Sequence, residues 1–94
     1  MKALTEAEIA AVLEREPLWE FKEGKLSREW RFKDFVAAMK FVDQVAVMAE
    51  EAGHHPDIDI RYNRVVLGLV THDAGGVTGR DARMAEQLSR DFAA

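Results

Sequence analysis

The stretch that decides the fold runs from Ala49 to Val70 and reads AEEAGHHPDIDIRYNRVVLGLV. Gly53 is well placed to end a helix, because glycine readily adopts the left-handed conformation of a helix C-cap. Residues 57–62 then alternate between charged and apolar, which predicts a strand with one face in the core. After a turn at 63–64, the β-branched and leucine run over 65–70 predicts a strand inside the sheet, buried on much of both faces.

Upstream of this stretch, apolar residues recur at steps of three and four from Asp34 onward, which is the spacing of an amphipathic helix. They are Phe35, Val36, Met39, Val42, Val45, Ala46 and Ala49. The helix is therefore predicted to run from Asp34 to its cap at Gly53, and its apolar face needs a sheet to bury against.

Nearer the N-terminus, large apolar residues lie at even spacing on both sides of Glu23-Gly24. This pattern predicts two strands joined by a tight turn, with the glycine at positive φ. The residues are Trp19, Phe21, Leu26, Trp30 and Phe32. A first helix precedes this hairpin, since residues 5–8 have the spacing of a capping box and Pro17 ends the helical pattern.

Downstream, THDAGG at 71–76 is typical of a loop, and Thr78 with Asp81 has the spacing of a second capping box. A last helix follows, with one apolar face formed by Ala82, Ala85, Leu88 and Phe92. The resulting order α-β-β-α-β-β-α predicts one domain over residues 1–94. Two hairpins imply an antiparallel or mixed sheet, and the helices would cover it as a two-layer α+β sandwich.

Composition and charge exclude several classes of protein. The net charge of −4 offers no excess of Lys and Arg to displace the counterions of nucleic acid. No stretch approaches the roughly 18 apolar residues of a membrane span, and the N-terminus lacks the apolar core of a signal peptide. The absence of cysteine excludes disulfides and thiolate metal sites. We expect a cytoplasmic protein that binds small molecules or proteins.

The three histidines of the chain all fall between positions 54 and 72. His54 follows the predicted helix cap, where the helix dipole favours a protonated imidazole. Pro56 disfavours the helical conformation for His55, so the two adjacent side chains should diverge. His72 ends the buried strand, a position from which a rigid element can direct a side chain into a cleft.

Two kinds of site could use these histidines. With Asp81 or Glu50 they could supply zinc ligands, but HExxH spacing is absent and adjacent histidines cannot easily chelate one ion. Acid/base chemistry without a metal is favoured, because imidazole supplies donor and acceptor forms near neutral pH. Asp81 or Glu50 could orient an imidazole, while Asp81 could equally cap its helix and Glu50 could be a solvated charge.

The chain resembles the pterin-4a-carbinolamine dehydratase family from Trp19 to about Phe92. The family signature is an acidic residue, His-His-Pro after three positions, an aromatic residue, a histidine and an aspartate. Here these are Glu50, His54, His55, Pro56, Tyr62, His72 and Asp81. The flanking segments FKDFVAAMKFVDQVA and YNRVVLGLVTHDAGGVTGRD are similar too.

This resemblance implies an enzyme that removes water from 4a-hydroxytetrahydropterin to give quinonoid dihydropterin without a metal or organic cofactor. His54 and His72 would be the general acid/base pair, and His55 would bind the pterin ring. The supporting residues would be Glu50, Asp81 and Pro56. The family fold is a four-stranded antiparallel sheet with three helices on one face. Family members form dimers or tetramers through strand edges and the long helix.

The sequence departs from the family pattern at Ile58, which is often aromatic, and at Pro17-Leu18, where a glycine usually precedes the tryptophan. Two alternatives therefore stay open. The domain could be a non-catalytic interaction module that oligomerises through the helix at 34–53. It could also dehydrate another pterin, such as one related to molybdopterin.

Overall fold

The computed structural model describes residues 2–92. Three helices and four strands follow the predicted order. They are α1 (Glu6–Arg15), β1 (Glu20–Lys22), β2 (Lys25–Arg31), α2 (Phe35–Ala52), β3 (Asp57–Arg61), β4 (Arg64–Leu69) and α3 (Gly79–Asp91). A short 3₁₀ turn at His72–Ala74 interrupts the loop between β4 and α3. Within residues 2–92, no helix is long and apolar enough to cross a membrane.

The four strands form one antiparallel sheet in the order β1-β2-β4-β3. β4 therefore has a partner on each side, which confirms its predicted place inside the sheet. The long helix α2 connects β2 to β3, so the two hairpins meet at the β2–β4 pairing, where Trp30 lies opposite Val65. The expectation of an α+β sandwich with a four-stranded antiparallel sheet is confirmed.

The two faces of the sheet differ in chemistry. The residues buried under the helices on β2 and β4 are Leu26, Arg28, Trp30, Val65, Leu67 and Leu69. The opposite face carries mostly charged side chains, and Val66 and Gly68 are half-buried among them. The prediction that β4 is buried on much of both faces holds fully for one face only, because helices cover one side of the sheet and the residues of β4 on the other side are half-buried.

The outer strand β3 also differs from its prediction. Ile58 and Ile60 lie opposite Leu67 and Val65, on the helix-covered face, yet Ile58 is 39% exposed. β3 is an edge strand and the helix layer does not extend over it, so its apolar face stays outside the core.

The turn after β3 lies one residue earlier than predicted, at Tyr62-Asn63, since Arg61 pairs with Arg64. The Nδ2 of Asn63 donates to the backbone oxygen of Phe32 at 2.7 Å, and the Phe32 amide donates to the Asn63 oxygen at 2.9 Å. This double contact anchors Asn63 inside the turn and leaves Tyr62 exposed, with a φ of 54°.

The helix ends follow the predicted local signals. Thr5 and Glu8 form a reciprocal capping box at the start of α1. Asp34 caps α2 by accepting the amide of Ala37 at 2.9 Å, and Gly53 ends the helix at a φ of 63°. The backbone turns away from α2 immediately before the histidine pair.

Candidate active site

One cleft gathers all three histidines. It encloses about 220 Å³ where the end of α2, the end of β4 and the start of α3 meet. This histidine cleft is lined by Gly53, His54, His55, Val70, Thr71, His72, Asp73 and Arg80. The residues that the sequence placed on separate elements therefore meet in space.

His54 forms the buried wall of the cleft, with a side chain that is only 10% exposed. Its Nε2 lies 2.5 Å from Oδ1 of Asp81, whose side chain is fully buried. Within residues 2–92, the other ring nitrogen of His54, Nδ1, makes no hydrogen bond to another side chain, and His54 lines the cleft. Asp81 therefore engages one nitrogen of the imidazole and leaves the other without a side-chain partner.

Asp81 serves both of the roles that the sequence left open. Its Oδ2 accepts the Thr78 amide at 2.8 Å, as a capping residue does, and also the Thr71 hydroxyl at 2.8 Å. The Thr71 and Thr78 hydroxyls are 2.8 Å apart, and the Arg80 amide donates to the Thr78 hydroxyl at 3.2 Å. These donors define a chain that ends at the carboxylate and holds it against His54.

His55 lies in the opposite environment. Its side chain is 63% exposed and its Nε2 contacts Oε2 of Glu50, which is 76% exposed. Because Pro56 extends the backbone, adjacent imidazoles reach different carboxylates, one buried and one at the surface. Water competes directly for the His55–Glu50 contact.

His72 is exposed at the start of the 3₁₀ turn that follows β4. Thr71 pairs with Gly76 through two backbone hydrogen bonds of 3.0 and 3.3 Å, which close the loop around this turn. Within residues 2–92, the imidazole of His72 makes no hydrogen bond to another side chain. It is therefore available to a ligand in the cleft.

Sequence reasoning did not identify Arg80 or Thr71 as part of the site. The Nη2 of Arg80 donates to the backbone oxygen of Gly53 at 3.0 Å, which ties the start of α3 to the end of α2. The position of Arg80 beside Asp81 was a usable signal, although its contact with the end of α2 forms only in the tertiary fold. No sequence signal pointed to Thr71, because its hydroxyl meets Asp81 only through the tertiary fold.

The structure does not bring every residue of the quoted motif to the cleft. Tyr62 lies in the β3–β4 turn, at the far end of the hairpin from His72, and is 65% exposed. Within residues 2–92, no group of three or more His, Asp and Glu side chains is arranged to hold a metal ion. The cleft contains three imidazoles, two of them in contact with carboxylates, and this arrangement suits proton transfer.

The sequence and the fold are similar to those of known proteins. The family model described as pterin 4 alpha carbinolamine dehydratase matches residues 2–90. A protein of Chloroflexus aurantiacus named "Putative pterin-4-alpha-carbinolamine dehydratase" is 54% identical over 88 residues, covering 94% of this chain and 95% of that protein.

Two solved structures are similar as well. A crystal structure described as a transcriptional coactivator/pterin dehydratase from Brucella melitensis matches with a TM-score of 0.87 and 37% identity, over 95% of this chain and 97% of that one. A pterin dehydratase-like protein described as a RuBisCO assembly factor in the alpha-carboxysome matches with a TM-score of 0.61, over 77% of this chain and 83% of that one. Its identity is 22%, so that likeness concerns the fold alone.

Proposed function

The chain belongs to the pterin 4 alpha carbinolamine dehydratase family, and from this premise we propose that it removes water from 4a-hydroxytetrahydrobiopterin to give quinonoid dihydropterin. The observation that carries the proposal is the histidine cleft, where an imidazole fixed by a buried carboxylate lines the same cavity as two exposed ones. The proposed setting is the recycling of tetrahydrobiopterin in the cytoplasm.

The reaction needs two proton transfers at separate points of the ring. The bond between the carbinolamine carbon and its hydroxyl oxygen breaks, and an imidazolium donates the proton that makes the leaving group water. The lone pair of the adjacent ring nitrogen forms a C=N bond, and a second imidazole takes a proton from nitrogen. Electrons and atoms balance without an oxidant, so general acid/base catalysis is sufficient.

The roles follow from the surroundings of each histidine. His54 and His72 are the proposed acid/base pair, because they come from different elements and can reach separate points of a bound ring. The exposed His55 would hold the ring, with Glu50 orienting it and Pro56 keeping it apart from His54. Asp81 would orient His54 by holding its Nε2.

Self-association is part of the proposal, as a homodimer or homotetramer. Apolar side chains remain exposed on α2 and at the β3 edge, and a chain of this size has a small core to stabilise it. They are Phe35, Val36, Val47, Ile58 and Tyr62. Light scattering over a range of concentrations tests this association.

The test of catalysis follows 4a-hydroxytetrahydrobiopterin, generated in place by an aromatic amino-acid hydroxylase, in the presence of a chelator. Wild type should accelerate its loss, while His54→Ala and His72→Ala, checked for folding by circular dichroism, should lose roughly 10²- to 10⁴-fold in rate. Asp59→Ala on the exposed edge strand is the matched control and should keep full activity. A rate near that of wild type for His72→Ala would contradict its role.

The second candidate is a non-catalytic interaction module of the same fold. The exposed apolar residues of α2 favour it, since they suit a protein partner without any chemistry. Wild type would then leave the pterin reaction unchanged, and His54→Ala would alter neither assembly nor partner binding.

A dehydratase for another pterin would be inactive in this assay yet bind a pterin in the histidine cleft.

A further inference from the structure

A second cleft adjoins the histidine cleft and shares two of its residues. It encloses about 260 Å³ beside the first turns of α3, and is lined by Ala52, His54, Arg80, Arg83, Met84 and Gln87. His54 and Arg80 belong to both clefts. A ligand whose ring contacts His54 in one cleft can therefore extend a substituent into the other.

This arginine cleft is cationic in a chain whose net charge is −4. Its lining contains two guanidinium groups and the Gln87 amide but no carboxylate. Other arginines, such as Arg15 and Arg61, lie within 4 Å of a carboxylate, whereas within residues 2–92 neither Arg80 nor Arg83 forms such an ion pair. The two charges are available to an anion.

The backbone at the start of α3 leaves room for one of these arginines. A Cβ atom at Gly79 would come within 3.2 Å of Nη1 of Arg83, so the guanidinium of Arg83 lies back over the first helical turn. There it lines both the arginine cleft and a neighbouring cleft that Glu8 and Glu86 also line. Arg80 is one residue beyond Gly79 and uses one nitrogen, Nη2, to donate to the Gly53 oxygen. Its remaining N–H groups are not committed to that bond.

We propose that the arginine cleft binds the phosphate group of a ligand and, resting on the proposed function, that this ligand is a pterin whose side chain carries a phosphate ester. Two guanidinium groups match the charge of a phosphate dianion, and each can bind its oxygens through two parallel N–H donors. The ring would lie in the histidine cleft and the ester in the arginine cleft.

The first experiment compares neopterin with neopterin 3′-phosphate by isothermal titration on wild type, Arg83→Gln and Arg90→Gln. Arg90 is exposed on the same helix and does not line either cleft, so it is the matched control. Wild type and Arg90→Gln should bind the ester at least about tenfold more tightly, as expected for charge-assisted hydrogen bonds. Arg83→Gln should lose most of this preference, because only Arg80 remains to bind the phosphate, and its affinity for neopterin should be unchanged.

The second arm titrates inorganic phosphate alone and follows the Arg83 side-chain Nε–H by NMR, which separates the cleft from the pterin reaction. If neither pterin binds, a phosphate-dependent shift of the Arg83 signal without a shift of the Arg90 signal supports the phosphate site and overturns the pterin ligand together with the proposed function. Equal wild-type affinity for neopterin and its phosphate overturns the inference while leaving the proposed function standing. No binding of any of the three compounds overturns both.

Discussion

His54 and His55 are neighbours in the chain, yet they belong to opposite halves of the candidate site. The buried half consists of His54, Asp81, Thr71 and Thr78, and its hydrogen bonds join β4, α3 and the end of α2. The exposed half consists of His55, Glu50 and His72, where water reaches every side chain. The buried half is therefore part of the folded core, while the exposed half is free to serve the ligand alone.

Removing the carboxylate of the buried half should have the largest effect on stability. Asp81→Ala leaves His54, the Thr71 hydroxyl and the Thr78 amide without their partner, so we expect the free energy of unfolding to fall by about 3 kcal/mol. Urea denaturation measures it. Asp91→Ala, at the exposed end of the same helix, should stay within about 0.5 kcal/mol of wild type. A loss below about 1 kcal/mol for Asp81→Ala would mean that the buried half does not contribute to the core.

Removing a single hydroxyl from the buried half should have the next largest effect on stability. Thr71→Val keeps the side-chain shape but removes the donor to Asp81, and we expect a loss of about 1 to 2 kcal/mol in urea denaturation. Because the carboxylate orients His54, kcat should also fall under the proposed function, while KM changes little. Thr71→Ser restores the hydroxyl and should recover the wild-type kcat. A kcat for Thr71→Val equal to that of wild type would remove Thr71 from the site.

Replacing Gly53, the residue between α2 and the histidine pair, should have a smaller effect on stability. Gly53 has a φ of 63°, and an added Cβ would meet no atom within 4 Å. Gly53→Ala should therefore cost about 1 kcal/mol from backbone strain alone, measured by thermal unfolding. Tyr62 also lies at positive φ, so Tyr62→Gly offers the reverse change and should not destabilise the hairpin. If Gly53→Ala lowered the stability by much more than backbone strain explains, Gly53 would also hold the two clefts in place through contacts.

The exposed half should contribute least to stability. His55→Ala removes an exposed contact with Glu50 and should change the free energy of unfolding by less than about 0.5 kcal/mol. Under the proposed function it should nevertheless lower kcat/KM at least about tenfold, because the ring loses a contact. Combined urea denaturation and kinetics test both statements. A large loss of stability for His55→Ala would break the distinction between the two halves.

Local patterns predicted much of this architecture. The capping boxes, the Gly53 helix end, the Glu23-Gly24 turn and the element order depend on contacts within a few residues, and each agrees with the structure. Trp19 and Phe32 were predicted as part of the first hairpin, and both lie just outside its strands. The errors concern the sheet, where burial depends on which helix lies over a strand.

Arg28 shows how far tertiary packing can override a local pattern. A charged residue between Leu26 and Trp30 faces the helices and is 6% exposed. Its guanidinium lies 4.2 Å from the centre of the Trp30 ring and donates to the Ser89 hydroxyl at 3.0 Å. Burial lowers the pKa of Arg28, and the Glu16 carboxylate acts in the opposite direction.

The sequence by itself determined where the helices begin and end and that the three histidines stand at element boundaries, because capping and periodicity act over one or two turns of chain. Only the tertiary structure decided that His54, and not His55, meets Asp81, which lies 27 positions away. It also decided that β3 lies at an exposed edge. The physical reason is that burial and long-range hydrogen bonding depend on which elements pack together, and local sequence patterns do not predict that packing.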